Sequence, residues 1–402
     1  MSKIILHIDL NAFFVRCEEI KNPSLEGKPV IIGRTGRGGI VSTCSYAARK
    51  YGVKSGMPTY KALLKCRDAI VLDDDFSFYK EKSNQFFNFI KTYTTIIEPA
   101  SIDECFADFS NVLKNEKDPV TYLRNLQAKL FKQTGLRCSI GVAPTKFLAK
   151  MASDMKKPNG LVIIRRKDSR EKLSPLPIED FFGIGKKTSP KLKEIGINTI
   201  GDLIKKIDDE DVEVKRLLGK FYFVIKDWVN GYGSDEINTE PFDPKSIGHS
   251  TTLFSDAVSF EELEKPLKEL SKRVSEDAKR KDKKGKSVQL VLKDNNFKVI
   301  NRSRKLQSLT NDDETIFKVA LDLLHENYDG RPTRLIGVTL QQLQNPKEVP
   351  IQMSIFDDYE TVKEENKTRL LIAELNRAMH SSVFKTVGDH LRENGNDNRR
   401  RK

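Results

Sequence analysis

The apolar positions of the first 165 residues fall into short solid runs separated by helical spacings. Ile4 to Ile8 predicts a strand, and Phe86, Phe89, Ile90 and Tyr93 share one face of a helix over Phe78 to Tyr93. Thr94 to Glu98 and Cys105 to Phe109 predict a hairpin turning at Pro99-Ala100-Ser101. Leu123, Leu126, Leu130 and Phe131 mark another helix, and Cys138 to Val142 another strand. This β-α-β-β-α-β order is the split βαβ arrangement. In it the first and third strands are antiparallel neighbours, so the end of the first lies beside the start of the third.

The same pattern returns later in the chain. Ile247 to Phe254 predicts a strand, and Leu263, Leu267, Leu270 and Val274 line a helix. Val288, Leu290 and Leu292 alternate, as do Phe297, Val299 and Asn301. Ile316, Val319, Ala320, Leu323 and Leu324 give a second helix, and Ile336, Val338 and Leu340 close the sheet. Ser259 with Glu262 matches a capping box, whereas Pro266 predicts a kink or a later helix start. Between the two patterns, Phe182-Gly183-Ile184-Gly185-Lys186-Lys187-Thr188, then Lys191-Leu192, then Ile195-Gly196-Ile197, has the form of a helix-hairpin-helix. A plain helical hairpin needs neither the Gly-Ile-Gly turn nor the lysines after it. Gly183, Gly185, Lys186 and Lys187 are therefore predicted to contact a DNA backbone, the glycines by close approach of backbone N–H groups and the lysines by charge. Gly231 to Lys245, with Gly233, Pro241 and Pro244 among polar neighbours, predicts an exposed linker.

Composition narrows the partners. A chain of 402 residues with 38% apolar content has room for two to four domains with real cores. A formal charge of +13 favours a polyanion, because Lys and Arg that neutralise phosphates release condensed counterions. Cys17, Cys44, Cys66, Cys105 and Cys138 are scattered and odd in number, and predict reduced, packed thiols in a cytoplasmic protein. With five scattered histidines they offer no zinc-site spacing. Asp9 interrupts the N-terminal apolar run too soon for a signal peptide, and no stretch is long enough to span a membrane.

Two acidic clusters carry the candidate chemistry: Asp9 in Ile8-Asp9-Leu10-Asn11-Ala12-Phe13-Phe14, and Asp103-Glu104 in Ser101-Ile102-Asp103-Glu104-Cys105. A carboxylate where a buried strand meets a turn is costly unless paired or bound to a cation. Three converging would make a magnesium site. Successive strand side chains point to opposite faces, so at least one of Asp103 and Glu104 must sit in a turn or at a bulge. Between the clusters, Gly33-Arg34-Thr35-Gly36-Arg37-Gly38-Gly39 is rich in turn formers and precedes Thr43-Cys44-Ser45-Tyr46-Ala47-Ala48-Arg49. If that run is helical, Tyr46 and Arg49 share a face and Thr43 lies near the N-terminus, where amide groups favour phosphate.

With these motifs in this order, the chain resembles the Y-family DNA polymerases, the translesion DNA polymerase IV class, and among them the Gram-positive bacterial type, from Lys3 to about Gln344. The resemblance implies a multidomain α+β right-hand polymerase. Its parts are a split-βαβ palm (1–10 and 77–165), small fingers (11–76), a helical thumb with a helix-hairpin-helix (166–230), the linker (231–245), a second split-βαβ little-finger domain (246–344) and a tail (345–402). It makes Asp9, Asp103 and Glu104, with the Leu10 backbone, ligands of two Mg2+ ions, Asp9 bridging both and Asp103 with Glu104 holding the ion that activates the primer hydroxyl. It places Thr43, Tyr46, Arg49 and Lys157, the last in Lys156-Lys157-Pro158-Asn159-Gly160, on the incoming triphosphate, and Ser42 over the templating base. Phe13 and Phe14 alone would be ordinary core aromatics. The resemblance puts both at the nucleotide and makes Phe14 the steric gate against a ribose 2′-hydroxyl. Asn11 stands where some members carry aspartate, at a position that is not a ligand.

The same resemblance implies primer-template DNA, deoxynucleoside triphosphates and the replication sliding clamp as partners of a monomer. Arg302 and Arg304, in Arg302-Ser303-Arg304-Lys305, would contact phosphates. Gln352-Met353-Ser354-Ile355-Phe356 resembles the peptide that docks bacterial polymerases on the clamp, with Ile355 and Phe356 as apolar anchors and Gln352 fixing register. Leu370, Leu371, Leu375 and Met379 suggest a small amphipathic helix. No separate acidic segment would supply a proofreading exonuclease, and the short fingers imply weak selection against mismatches. An inert DNA- and clamp-binding scaffold of the same fold is the alternative, opposed by the intact carboxylates. A two-metal nuclease would leave Phe14, Tyr46, Arg49 and Lys157 without purpose.

Overall fold

In the computed structural model, which describes residues 3–345 and Leu371, β1 (Ile5–Leu10) is buried along its whole length. It leads into α1 (Phe13–Lys21), β2 (Val30–Gly33), β3 (Val41–Cys44), α2 (Tyr46–Lys50), α3 (Thr59–Lys65) and β4 (Ile70–Leu72). Then come α4 (Phe76–Lys91), β5 (Ile97–Pro99), β6 (Glu104–Asp108), α5 (Ser110–Leu113), α6 (Pro119–Thr134), β7 (Cys138–Ala143), α7 (Lys146–Met155) and β8 (Leu161–Ile163). Five of these strands form a sheet in the order β5-β6-β1-β7-β8. β1 pairs antiparallel with both β6 and β7, so the first strand lies between the third and fourth of the predicted pattern. The predicted antiparallel neighbours are neighbours here.

Helices cover both faces of this sheet, which is why β1 and β7 are buried along their whole length. Tyr79, Phe86, Phe89 and Ile90 of α4 and Leu123, Leu126 and Leu130 of α6 pack with Leu6, Ile8, Cys105 and Ile140. Phe131 was expected among the core positions of that helix but is 40% exposed and lies under the guanidinium groups of Arg16 and Arg137. On the other face α7 lies close against β7. A β-carbon on Gly141 would strike the Ala149 carbonyl and the Ser153 backbone nitrogen, so only glycine admits the helix there. β3-β2-β4 form a separate small sheet covered by α2 and α3, with its own core of Ile31, Val41, Cys44, Ala48 and Ala62.

Beyond β8 the chain is helical: α8 (Ser169–Leu173), α9 (Ser189–Glu194), α10 (Ile200–Asp208), α11 (Val212–Leu218) and α12 (Phe221–Val229). Leu173, Phe181, Leu192, Ile200 and Tyr222 form one core with Phe147, Leu148 and Met151 of α7. Gly183 has φ +96°, and a β-carbon there would meet the Phe221 ring. Residues 231–245, expected to be an exposed linker, are strapped down over their first half. Ser234 accepts from the Lys146 N–H at 2.9 Å, Asp235 accepts from Lys3 Nζ at 3.0 Å, and the Asn238 N–H donates to Glu98 at 2.7 Å.

The chain divides into two bodies between Asp243 and Pro244. The second contains β9 (Ser246–Ala257), α13 (Phe260–Arg280), β10 (Gly285–Asp294), β11 (Val299–Thr310), α14 (Asp313–Asn327) and β12 (Thr333–Gln341). Its sheet is antiparallel in the order β11-β10-β12-β9. Each βαβ connection is again split by one strand, but here the first strand is an edge. Ser259 caps α13, and the Glu262 carboxylate closes the cap on the Val258 N–H, 2.7 Å away. The helix then runs through Pro266 without a later start, because Leu263, Leu267, Leu270 and Val274 all bury against the sheet and outweigh one lost hydrogen bond. Val288 and Leu290 pair with Arg304 and Arg302, so both arginines lie on the helix side of β11. Arg304 pairs with Asp322 and Glu326 of α14, and Arg302 donates to Asn327. The expected free phosphate contacts are thus bound to their own helix. Lys305, opposite Ser287, is on the open face. Among the described residues no helix is long and apolar enough to cross a membrane.

Candidate active site

The order β6-β1-β7 puts three functional segments side by side. Asp9 pairs with Glu104 across the sheet, and the Leu10 N–H donates to the Asp103 carbonyl at 2.9 Å. Asp103 sits in the turn before β6 and Glu104 is the strand's first residue, so one of the two successive acids is in a turn as expected. The Asp103 carboxylate accepts from the Ser101 hydroxyl at 2.6 Å. Burial raises its pKa, and the charges of Asp9 and Glu104 push the same way against the Ser101 bond.

α7 contributes what sequence patterns do not single out. Its N-cap Thr145 fixes the start, so Lys150, Ser153 and Asp154 share the face turned to β1. Lys150 Nζ lies 2.7 Å from Glu104 Oε2 and 3.4 Å from Asp9 Oδ2. Lys157 Nζ lies 2.7 Å from Asp9 Oδ2 and 2.8 Å from Asp154. Burial works to lower both lysines, but Asp154, Asp9 and, for Lys150, Glu104 outweigh it and hold them raised. Asp9, Glu104 and Asp154 contact the two ammoniums, and Asp103, whose charge is felt with those of Asp9 and Glu104, adds a fourth carboxylate, so acids outnumber ammoniums here. Hard carboxylate oxygens with surplus negative charge fit magnesium.

His7, two residues before Asp9, is fully buried with Nε2 3.3 Å from Glu104 Oε2. Burial is the largest influence on it and lowers its pKa despite the nearby carboxylates. Asn11 is a brace: its Nδ2 donates to Ser139 Oγ at 2.9 Å and its Oδ1 accepts from the Asn159 N–H at 2.7 Å. It ties the Lys157 loop to β1 and β7.

Ala12, with φ 45°, turns the chain from β1 into α1, where the rings of Phe13 and Phe14 lie 5.6 Å apart. Phe13 is buried in the palm-side core. Phe14 is half-buried, stacks on Tyr79 at 4.4 Å and 12°, and meets Phe76 edge-on at 5.6 Å. The Tyr79 hydroxyl donates to Glu18 at 2.8 Å, so the ring behind Phe14 is itself fixed. Tyr46 and Arg49 are on α2 as expected, with the guanidinium 4.8 Å from the ring centre. Thr43 and Ser42 belong to β3, just before that helix: Ser45 caps the five-residue helix, and Thr43 pairs with Ile32. Strand pairing won because Val41 and Cys44 bury against Ile31. Lys186 and Lys187 are exposed on the loop before α9. Gln352, Ser354, Ile355 and Phe356, with the segment after them except Leu371, lie outside the described residues.

Models of the impB/mucB/samB family match residues 8–154, and of its C-terminal domain residues 244–355; the IMS family HHH motif matches 166–197. A DNA polymerase IV of Oceanobacillus iheyensis is 37% identical over 385 residues, covering 95% of this chain and 91% of that one. The chain belongs to the DNA polymerase IV family of Y-family polymerases. DNA polymerase IV 1 of Bacillus subtilis is 37% identical over 372 residues, covering 90% of this chain and 88% of its own. Among solved structures, a Y-family DNA polymerase chimera, Dbh-Dpo4(243-245)-Dbh, shares 28% identity with a TM-score of 0.73, covering 85% of this chain and 99% of that one. An insertion ternary complex of Dbh DNA polymerase shares 28% identity at a TM-score of 0.57, with the same coverage. The α+β Y-family fold and the DNA polymerase IV class expected from the motifs are those of the family.

Proposed function

We propose that this polymerase extends primers on damaged templates with low fidelity and without proofreading, through Asp9, Asp103, Glu104 and the Leu10 carbonyl as holders of two Mg2+ ions. The observation that carries it is the Asp9–Glu104 pairing beside the Asp103 turn, with a surplus of negative charge. Bound magnesium would make the primer hydroxyl more nucleophilic and neutralise the leaving pyrophosphate.

The remaining roles belong to the chain's own groups. Lys157, now on Asp9 and Asp154, would turn to the triphosphate with Tyr46, Arg49 and Thr43. Asn11 would keep that loop in place, and Ser42 would roof the template base. Phe14, backed by Tyr79, would exclude a 2′-hydroxyl. No side chain is placed as a general base, so positioning and electrostatics carry the rate. Gly183, Gly185, Lys186 and Lys187 would hold the duplex backbone, and Lys305 on the open face of the second sheet would join them. Residues 1–10 and 77–165 act as palm, 11–76 as fingers, 166–230 as thumb and 246–344 as little finger. The peptide 352–356 docks on the sliding clamp, and the protein works as a cytoplasmic monomer.

Primer extension across a defined lesion, run with Asp103→Ala, tests this reading. The expected result is magnesium-dependent extension that the variant loses while keeping its DNA affinity. Wild-type protein that binds DNA but never extends it would instead favour the scaffold.

A further inference from the structure

Behind the carboxylates, one buried side chain has no role in the reading above. The Ser153 hydroxyl donates its single proton to the Lys150 carbonyl at 2.8 Å. Its oxygen therefore accepts from His7 Nδ1–H, also 2.8 Å away. That commits the ring: Nε2 of the neutral imidazole carries a bare lone pair. The ring is fully buried, Nε2 has no hydrogen-bond partner, and it faces Glu104 Oε2 at 3.3 Å. A lone pair against a carboxylate oxygen is repulsive unless a proton or a metal ion stands between them. An imidazole whose far N–H is held by a fixed acceptor is also how metal-binding histidines are oriented.

We propose that His7 Nε2, Asp9 and Glu104 form a binding site for a nitrogen-seeking divalent ion, with Zn2+ as its representative. Their ligand atoms all lie within 4.8 Å of one another. Two ligands about 2.1 Å from zinc at a near-tetrahedral angle stand about 3.4 Å apart, close to the separation of Nε2 and Oε2. Magnesium takes oxygen ligands, whereas imidazole suits zinc and its neighbours. Asp9 and Glu104 are thus shared between two kinds of ion, and His7 serves only one. When zinc enters, Lys150 leaves both carboxylates for Asp154, which it already approaches at 3.5 Å. Scattered cysteines and histidines gave no hint of this donor set because two of its three members are carboxylates from separate strands. Zinc held here excludes magnesium and stops extension; that consequence rests on the polymerase reading, while the binding does not.

The test uses the full chain without DNA. X-ray absorption at the zinc edge with one equivalent of Zn2+ should show one imidazole nitrogen among oxygens, and a shell without imidazole overturns the proposal. Calorimetric titration should show Zn2+ at least tenfold weaker in His7→Asn, which can still donate to Ser153, with Mg2+ affinity within twofold of wild type. Equal zinc affinity overturns the proposal, as does a parallel loss of magnesium, which would make His7 only a support for the carboxylates. Magnesium-dependent primer extension by the wild type is read separately: its absence sinks the polymerase reading and leaves the zinc result standing.

Discussion

Two sheets in this molecule are built from the same succession β-α-β-β-α-β, and only one gathers acids. In the first, β1 lies between β6 and β7, so the end of the first strand touches the start of the third. In the second, β9 and β11 occupy opposite edges, three strand spacings or about 14 Å apart. No pair of side chains on those two strands can meet as Asp9 and Glu104 do. The first sheet is covered by helices on both faces and pays for precision with buried charge. The second keeps one face open and pins its arginines to α14. Strand order, rather than element order, makes the difference between a site and a surface.

The strongest way to break this contrast is at the glycines. A β-carbon on Gly141 would meet helix backbone at 2.0 Å, whereas one on Gly285 would meet the buried Leu340 side chain first and the Gln341 carbonyl only at 2.9 Å. Gly141→Ala is expected to cost about 3 kcal/mol or more and Gly285→Ala about 1–2 kcal/mol, measured by denaturant unfolding of each variant. Equal costs would mean that the two sheets are equally forgiving. Next comes the sugar gate that the first sheet delivers through Ala12. Phe14→Ala should raise ribonucleotide incorporation relative to deoxyribonucleotide by about 10–100-fold, read by single-nucleotide primer extension; unchanged discrimination would sink the gate.

A smaller effect separates the two faces of β11. Lys305→Ala should lower the salt dependence of DNA binding by about one phosphate contact. Arg304→Ala should leave that slope alone and cost about 0.5–1 kcal/mol of stability. The reverse outcome would mean that the helix-side arginines reach DNA. Smallest is Thr199→Ala, which removes a capping box that belongs to neither sheet. It should cost about 1 kcal/mol and leave sugar selection unchanged, which sets the scale for a purely structural loss.

The first sheet was legible because its strands are solid apolar runs and its acids sit where those runs stop. The same reasoning applied to the second pattern finds its elements but not their order, since periodicity says nothing about which strand takes the edge. His7 and Lys150 were invisible for a related reason. One lies inside a strand and meets Glu104 through the β1–β6 pairing, while the other is on a helix about 140 residues away that only its packing on Gly141 brings to the acids. Thr43 does lie just before the helix of Tyr46 and Arg49, but on a strand the sequence did not announce, which burial of Val41 and Cys44 decides.

The most direct test of strand order as the origin of catalysis is single-turnover nucleotide incorporation by Asp9→Asn, with DNA affinity measured on the same preparation. The carboxylate at the end of β1 should be indispensable: incorporation falls by at least about 10³-fold while DNA affinity stays within twofold. Incorporation within tenfold of wild type would contradict the account, because the acids from the third strand would then act without the first.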